Sequence, residues 1–326
     1  MQKLRVGVLR GGPSSEYEIS LKTGGHVLQN ISLEKYDPKD IFISRSGVWH
    51  VRGLETTPEK ALRNMDAVFN ALHGEYGEDG KVQQILEKFG VPYTGSRSLA
   101  SSLAMNKAKA KDIVSRSGIR VPLHRIITRE SEIKTAVMDI FKTFPQPVVV
   151  KPLDRGSSKG VTFAGSYQDL LEIITIALEE APVVLVEEFI KGREVTCGVV
   201  DNFRGEEQYT LLPIEIELPK GKVCFDYDAK YNSDGAQRAT LRCPGNFSSG
   251  EKLQIRDMTR VVHEALGLRH YSRSDFIVTP RGIYFLEVNT LPGLTEESLV
   301  PHALREAGCG FPEFVDHLIG LAVNQK

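Results

Sequence analysis

Residues 273–293 read RSDFIVTPRGIYFLEVNTLPG. Two β-rich runs, 274–278 and 283–288, flank a turn at 279–282, which is the pattern of an antiparallel hairpin. Strand side chains alternate between faces, so Glu287 and Asn289 leave the same face, where Asp275 from the first strand can join them. Two carboxylates and an amide form a hard oxygen-donor set of the kind Mg²⁺ takes, with waters and phosphate oxygens completing its shell. Isolated acids on a strand usually do no more than solvate an exposed face. Three oxygen donors within an otherwise apolar pair fit that reading less well.

Two stretches upstream supply complementary groups. In VVVKPLDRGSSKGV (148–161) a β-rich run delivers Lys151, and the loop with Gly156, Ser157, Ser158 and Gly160 lets backbone N–H groups approach an anion closely. The lysine precedes the glycines, so this is not the P-loop arrangement. In VLVEEFIKGREV (184–195) a strand ends at Glu187 and turns, which suits a hinge against an adenine ring. Taken singly, the first is an ordinary hairpin connection and the second an acidic strand end.

With 326 residues the chain exceeds the size at which one hydrophobic core keeps growing, so two or three lobes are expected. At the start, Leu4, Val6 and Val8 alternate, followed by Gly11-Gly12-Pro13 and Ser15-x-x-Glu18, a capping-box pattern before a helix reaching Asn30. Extended stretches at 40–51 and 67–72 and a helix at 82–89 complete a Rossmann-like α/β lobe over 1–95, although no dinucleotide fingerprint is present. A central lobe over 96–186 combines helices at 106–117 and 167–180 with strands at 121–127, 148–151, 160–163 and 183–186. The last lobe, 187–326, carries strands at 194–200 and 211–217, the hairpin, a helix at 251–266 and helices after Ser298. Its loop of about 219–249 is long enough to expect a functional role. The fold class is α/β with an α+β character.

Composition removes several function classes. Lys plus Arg total 41 against 42 Asp plus Glu, a net charge of −1, which offers no basic footprint for nucleic acid. No apolar run approaches the ~20 residues of a membrane-spanning helix, so no membrane partner is expected. The N-terminal MQKLRVGVLRGG lacks the apolar core and cleavage site of a secretory signal, and a cytoplasmic location is expected. The four cysteines form no C-x-x-C pair and are expected to be reduced and packed as small apolar residues.

Taken in order along nearly the whole chain, the motifs resemble the ATP-grasp superfamily and, within it, the D-alanine–D-alanine ligases. They are GGPSSEYEISL near the start, HGEYGEDG at 73–80, YTGS at 93–96, MNK at 105–107, and KP-x3-GSS-x-GV from Lys151. EEFIKGRE, DYDAKY ending at Tyr231, RSDF and EVNTLPGLTEESLVP complete the set. The resemblance implies a three-lobed ATP-grasp fold. It implies transfer of the ATP γ-phosphoryl group to one D-alanine carboxylate, then attack by the amine of a second D-alanine, giving D-alanyl-D-alanine for peptidoglycan precursors.

Carried over by motif position, Lys107 and Lys151 hold phosphates, Glu187 and Glu194 meet adenine and ribose, and Phe189 and Ile190 complete the hinge. Asp275, Glu287 and Asn289 take two Mg²⁺, for which Mn²⁺ can stand in. Arg273 and the Gly293 N–H stabilise the transferring phosphoryl group and the later oxyanion. Glu16 takes the ammonium of the first D-alanine with His73 nearby, and Ser298 the carboxylate of the second. Ser157, Tyr231 and Glu16 link the long loop over the site, and Lys230 reaches the γ-phosphate. The family also implies a homodimer. A tyrosine at 231 favours an amine nucleophile over D-lactate, so a D-alanine–D-lactate ligase is one alternative and a non-catalytic ATP-binding regulatory protein another. Departures from the family pattern are Asn106 for aspartate, Phe225 for tyrosine and Glu297 for histidine. Glu297 bears on the second-substrate pocket.

Overall fold

The computed structural model describes residues 3–153, 160–218 and 239–324. Its strands form three sheets among those residues. The first runs β4-β3-β2-β1-β5, from β1 (Leu4–Gly11), β2 (Tyr36–Ile43), β3 (Trp49–Val51), β4 (Leu54–Thr56) and β5 (Ala67–Asn70). Here β2, β1 and β5 are parallel, and β3 and β4 add antiparallel strands at one edge. The expected single stretch over 40–51 is thus two strands around a turn, because Ser44 to Val48 closes on itself through Ser44 N–H donating to Val48 O at 2.9 Å.

β1 leads through a glycine turn into α1 (Tyr17–Asn30). Gly11 has φ +91°, and a Cβ there would run into the Ile43 carbonyl oxygen. The capping box expected at Ser15 and Glu18 does not form. Glu16 is the N-cap with no side-chain cap bond, and Ser14 Oγ instead accepts the Glu16 N–H at 3.0 Å. Glu18 is drawn outward to Arg45 at 2.7 Å. Capping boxes do form at Ser166/Asp169 and Ser248/Glu251, where the first residue is extended as the motif requires.

The second sheet, β6-β9-β7-β8, is wholly antiparallel and joins β6 (His124–Thr128), β7 (Val148–Pro152), β8 (Thr162–Ala164) and β9 (Val183–Glu188). Helices α6 (Ile133–Thr143) and α7 (Tyr167–Glu180) bury Val137, Ile140, Leu170 and Ile174 against Val148, Val150 and Val184. The sequence reading missed α6, whose apolar stripe is interrupted by exposed Phe141 and Met138.

The third sheet follows β13-β12-β10-β14-β15, with β11 on β10. Its strands are β10 (Arg193–Phe203), β11 (Glu206–Thr210), β12 (Ile214–Glu217), β13 (Thr240–Arg242), β14 (Tyr271–Thr279) and β15 (Gly282–Asn289). One face is covered by α8 (Ser249–Ala265) together with α4 (Ser98–Met105) and α5 (Lys107–Arg116), through Ala100, Ala110, Val114, Ile255 and Val262 around Phe276 and Phe285. The short apolar α4 was also missed, because its small residues SLASSLAM carry no clear period. At the C-terminal end α9 (Leu299–Glu306) and α10 (Phe311–Val323) return to the first sheet. There Phe314, Leu318 and Ile319 share one core with Val6, Val8, Phe69 and Tyr271. Short α2 (Pro58–Leu62) and α3 (Lys81–Lys88) complete the first layer.

Phe285 is fully buried and meets Phe276 edge-on with ring centroids 5.9 Å apart. Phe285→Ala should therefore destabilise the chain by about 3–5 kcal/mol in denaturant unfolding. A loss below about 1 kcal/mol would mean that this core is not packed as described.

Candidate active site

In the β14–β15 hairpin Asp275 stands opposite Glu287 and Arg273 opposite Asn289, with the register shifting by a bulge between Asp275 and Phe276. Period-two alternation then puts all four side chains on one face. Arg273 grips Asp275 with both arms of its fork, Nε to Oδ1 at 2.9 Å and Nη2 to Oδ2 at 2.8 Å. Asn289 Nδ2 donates to Asp275 Oδ2 at 3.1 Å, and Thr196 Oγ1 on β10 donates to Oδ1 at 2.6 Å. Glu287 Oε2 lies 3.5 Å from Lys107 Nζ on α5.

Among the described residues no group of three or more His, Cys, Asp or Glu gathers as a complete metal cage. The donor set is therefore two carboxylates and one amide. That composition fits Mg²⁺, which binds few protein oxygens and keeps positions for water and phosphate.

A second electrostatic knot lies beneath. Glu187, at the end of β9, is buried, with Oε2 2.7 Å from Lys151 Nζ and Oε1 2.6 Å from Lys111 Nζ. Burial pushes the Glu187 carboxyl up, but the two ammonium groups outweigh it and hold the group at about 2. Burial likewise lowers Lys151, and the Glu187 and Glu287 charges more than offset it, so its net shift is upward. For Lys111 burial prevails and the ammonium falls to about 8. Glu187 thus turns its carboxylate toward lysines rather than into open space.

The sequence reading missed Lys111. Its signal was the helical period: Lys107, Lys111 and Val114 stand at i, i+4 and i+7 on the buried stripe of α5, where a lysine needs an anionic partner.

Between the second and third sheets opens a cleft of about 620 Å³. Lys107, Lys151, Glu187, Phe189, Ile190, Glu194, Arg273, Asp275 and Glu287 all line it. Val149, Phe163, Ile216 and Leu218 give it an apolar wall, with Phe163 edge-on to Phe189 at 5.5 Å. An apolar wall set among cations and carboxylates suits a nucleotide's base and its phosphates.

A smaller pocket of about 30 Å³ adjoins that end, lined by Glu16, Glu78, Lys107, Glu287 and Asn289. The segment after β15 reaches it under tethers from the first lobe. His73 Nδ1 bonds the Leu291 carbonyl at 2.8 Å, and Thr23 Oγ1 lies 2.8 Å from Nε2. A carbonyl only accepts, so Nδ1 carries the proton and Nε2 accepts from Thr23. Burial lowers the His73 pKa, in keeping with that neutral tautomer. Leu291 N–H donates to Glu78 Oε2 at 3.3 Å, Leu294 N–H to Thr23 Oγ1 at 3.4 Å, and His26 Nδ1 donates to the Leu294 carbonyl at 2.7 Å.

Gly293 and Ser298 come together within this segment, since a Cβ on Gly293 would lie 2.9 Å from Ser298 Oγ. Ser298 is the N-cap residue of α9, but its hydroxyl makes no cap bond and turns back to Thr295 Oγ1 at 2.7 Å. Glu297 is exposed, and Asn106 caps α5 by accepting the Lys109 N–H at 3.0 Å. Ser157, Lys230 and Tyr231, as well as Phe225, lie outside the described residues.

Glu78 was also missed, although it stands in HGEYGEDG. Burial and then the Glu16 charge push its carboxyl up to about 7 from an ordinary 4.5, against the Gly74 and Leu291 N–H groups that favour the anion. A carboxyl raised by folding contributes stability that is present below about 4.5 and is lost as pH rises through about 7. Glu78→Gln should therefore flatten the fall in melting temperature between pH 5 and about pH 8, while the unaltered chain declines. Parallel curves for the two proteins would show that Glu78 does not titrate there.

The comparisons with known proteins concern the chain as a whole. The family model described as "D-ala D-ala ligase C-terminus" matches residues 113–320, and "D-ala D-ala ligase N-terminus" matches 5–61 and 52–96. A D-alanine–D-alanine ligase of Geobacter sulfurreducens is 37% identical over 98% of this chain and 94% of its own, and that of Desulforudis audaxviator is 39% identical over 98% of both. Among solved structures, the VanG D-Ala:D-Ser ligase from Enterococcus faecalis superposes with a TM-score of 0.85 at 34% identity, over 98% of this chain and 100% of that one. The D-alanine–D-alanine ligase from Bacillus anthracis complexed with ATP gives 0.81 at 29% identity, over 99% and 98%. No helix among the described residues is long and apolar enough to cross a membrane. By these full-length matches, the chain belongs to the D-alanine–D-alanine ligase family and has the ATP-grasp fold.

Proposed function

We infer that this chain joins two D-alanines into D-alanyl-D-alanine at the expense of ATP, through an acyl phosphate, in peptidoglycan precursor synthesis. The observation that carries the inference is the convergence of Lys107, Lys151, Arg273, Asp275 and Glu287 on one cleft, beside a pocket bearing Glu16. Two like-charged reactants, a carboxylate and a triphosphate, must meet there. Lys107, Lys151 and Arg273 lower that repulsion by holding positive charge in a partly dehydrated site. Asp275, Glu287 and Asn289 are the residues that would hold two Mg²⁺ ions, which supply charge neutralisation across the phosphate oxygens.

The apolar wall with Phe189 and Ile190 takes adenine, with Glu187 and Glu194 at adenine and ribose. Glu16 faces the ammonium of the first amino acid, with His73 and Glu78 holding its surroundings. The Gly293 N–H and Arg273 stabilise the tetrahedral oxyanion formed on amine attack, and Ser298 receives the second carboxylate. To Ser157, Lys230 and Tyr231, which lie outside the described residues, motif position assigns the task of keeping water from the acyl phosphate. Of the three lobes over 1–95, 96–186 and 187–326, the first supplies Glu16 and His73, the second Lys107 and Lys151, and the third the metal residues together with further nucleotide and amino-acid contacts. The setting is cytoplasmic and the assembly a homodimer.

Incubation of the purified chain with ATP, Mg²⁺ and D-alanine should release phosphate and dipeptide in equal amounts, and an absence of dipeptide under all conditions would refute the reading. Mixed incubations with D-lactate and D-serine address the second subsite, because a structural relative is a D-Ala:D-Ser ligase. Predominant depsipeptide would favour a D-lactate enzyme, and nucleotide binding without turnover a regulatory one. Glu287→Gln should lower kcat by roughly two orders of magnitude or more with the melting temperature retained, since it removes a charged oxygen with little change of volume. Near-normal turnover would count against the metal assignment.

A further inference from the structure

Lys111 has no place in the roles assigned above, yet it is fully buried and engaged at both sides. Its Nζ lies 2.6 Å from Glu187 Oε1 and donates to the Leu286 carbonyl at 2.5 Å, one residue before Glu287. It therefore joins α5 to β9 and β15, and Glu187 Oε2 extends the chain of contacts to Lys151 on β7 at 2.7 Å. A buried ion pair is a poor source of stability, because the desolvation of both charges offsets their attraction. Its contribution must be sought in geometry.

Lys151 has three N–H donors. A buried carboxylate with no other cation would compete with a nucleotide for them, pulling the ammonium off the cleft wall. With Lys111 beside Oε1, Glu187 engages Lys151 through its other oxygen, and Lys151 itself lines the cleft. We propose that Lys111 is a positioning residue for nucleotide binding: it fixes Glu187 so that Lys151 presents its remaining donors to the phosphates. The proposal rests on the ATP-dependent reading above.

Calorimetric titration with ADP and Mg²⁺ tests it without turnover, so a failure of the ligase reading leaves this test standing. Lys111→Met, which keeps length and removes charge, should weaken ADP binding by about tenfold or more, while the affinity for D-alanine, titrated in the same way, stays within about twofold. In a Glu187→Gln background the same substitution should change ADP affinity by less than about twofold, because Lys111 acts through that carboxylate. An equal loss in both backgrounds, ADP affinity unchanged by Lys111→Met, or a parallel loss for ADP and D-alanine would each overturn the proposal. Should Lys111→Met alone not fold, the comparison of Glu187→Gln with Lys111→Met/Glu187→Gln decides, since the double variant leaves neither charge buried alone.

Discussion

Asp275 facing Glu287 across one hairpin is the constraint on which the site depends. Two carboxylates that close repel each other unless cations stand between or beside them. The chain supplies those cations from three directions: Arg273 along the same strand, Lys107 from α5, and Lys151 from the second sheet. Asn289 and Thr196 also donate to the Asp275 carboxylate, one to each oxygen. The result is a face on which negative charge stands ringed by fixed positive charge, along the wall of one cleft.

The first lobe contributes by restraint. His73, Thr23, Glu78 and His26 do not surround the nucleotide cleft; they hold the backbone of Leu291 and Leu294 through direct hydrogen bonds. That backbone carries Gly293 and leads to Ser298. The same segment is backed by α10, which packs across the first sheet into a core shared by residues from both ends of the chain. Tethering of this kind converts a connecting segment into a rigid support, which is what a site that orients two amino acids against one phosphate needs.

Much of this was legible in the residues. The hairpin announced itself through alternation, but a regular turn at 279–282 would set Asp275 opposite Leu286; the bulge between Asp275 and Phe276 brings it opposite Glu287, a shift that alternation alone does not reveal. Motif order carried the fold and the cleft residues, whose convergence from separate sheets no local pattern states. Other features lay beyond local reading. The capping box at Ser15 failed because the Gly12-Pro13 turn hands the bond to Ser14, a choice made by backbone direction rather than by sequence spacing. Lys111 and Glu78 escaped because a buried charge is recognised by its partner, and Glu187 and Leu291 are distant in sequence. Helices α4 and α6 were missed where small or exposed apolar residues blurred the period.

The central claim is that the cleft passes a phosphoryl group to a carboxylate. D-Alanine labelled with ¹⁸O in its carboxyl group reports on that step directly. Analysis of the phosphate released during dipeptide synthesis should find one oxygen of the label in each phosphate, because the acyl phosphate breaks at its carbonyl carbon. Phosphate free of label, formed alongside normal dipeptide, would contradict the account.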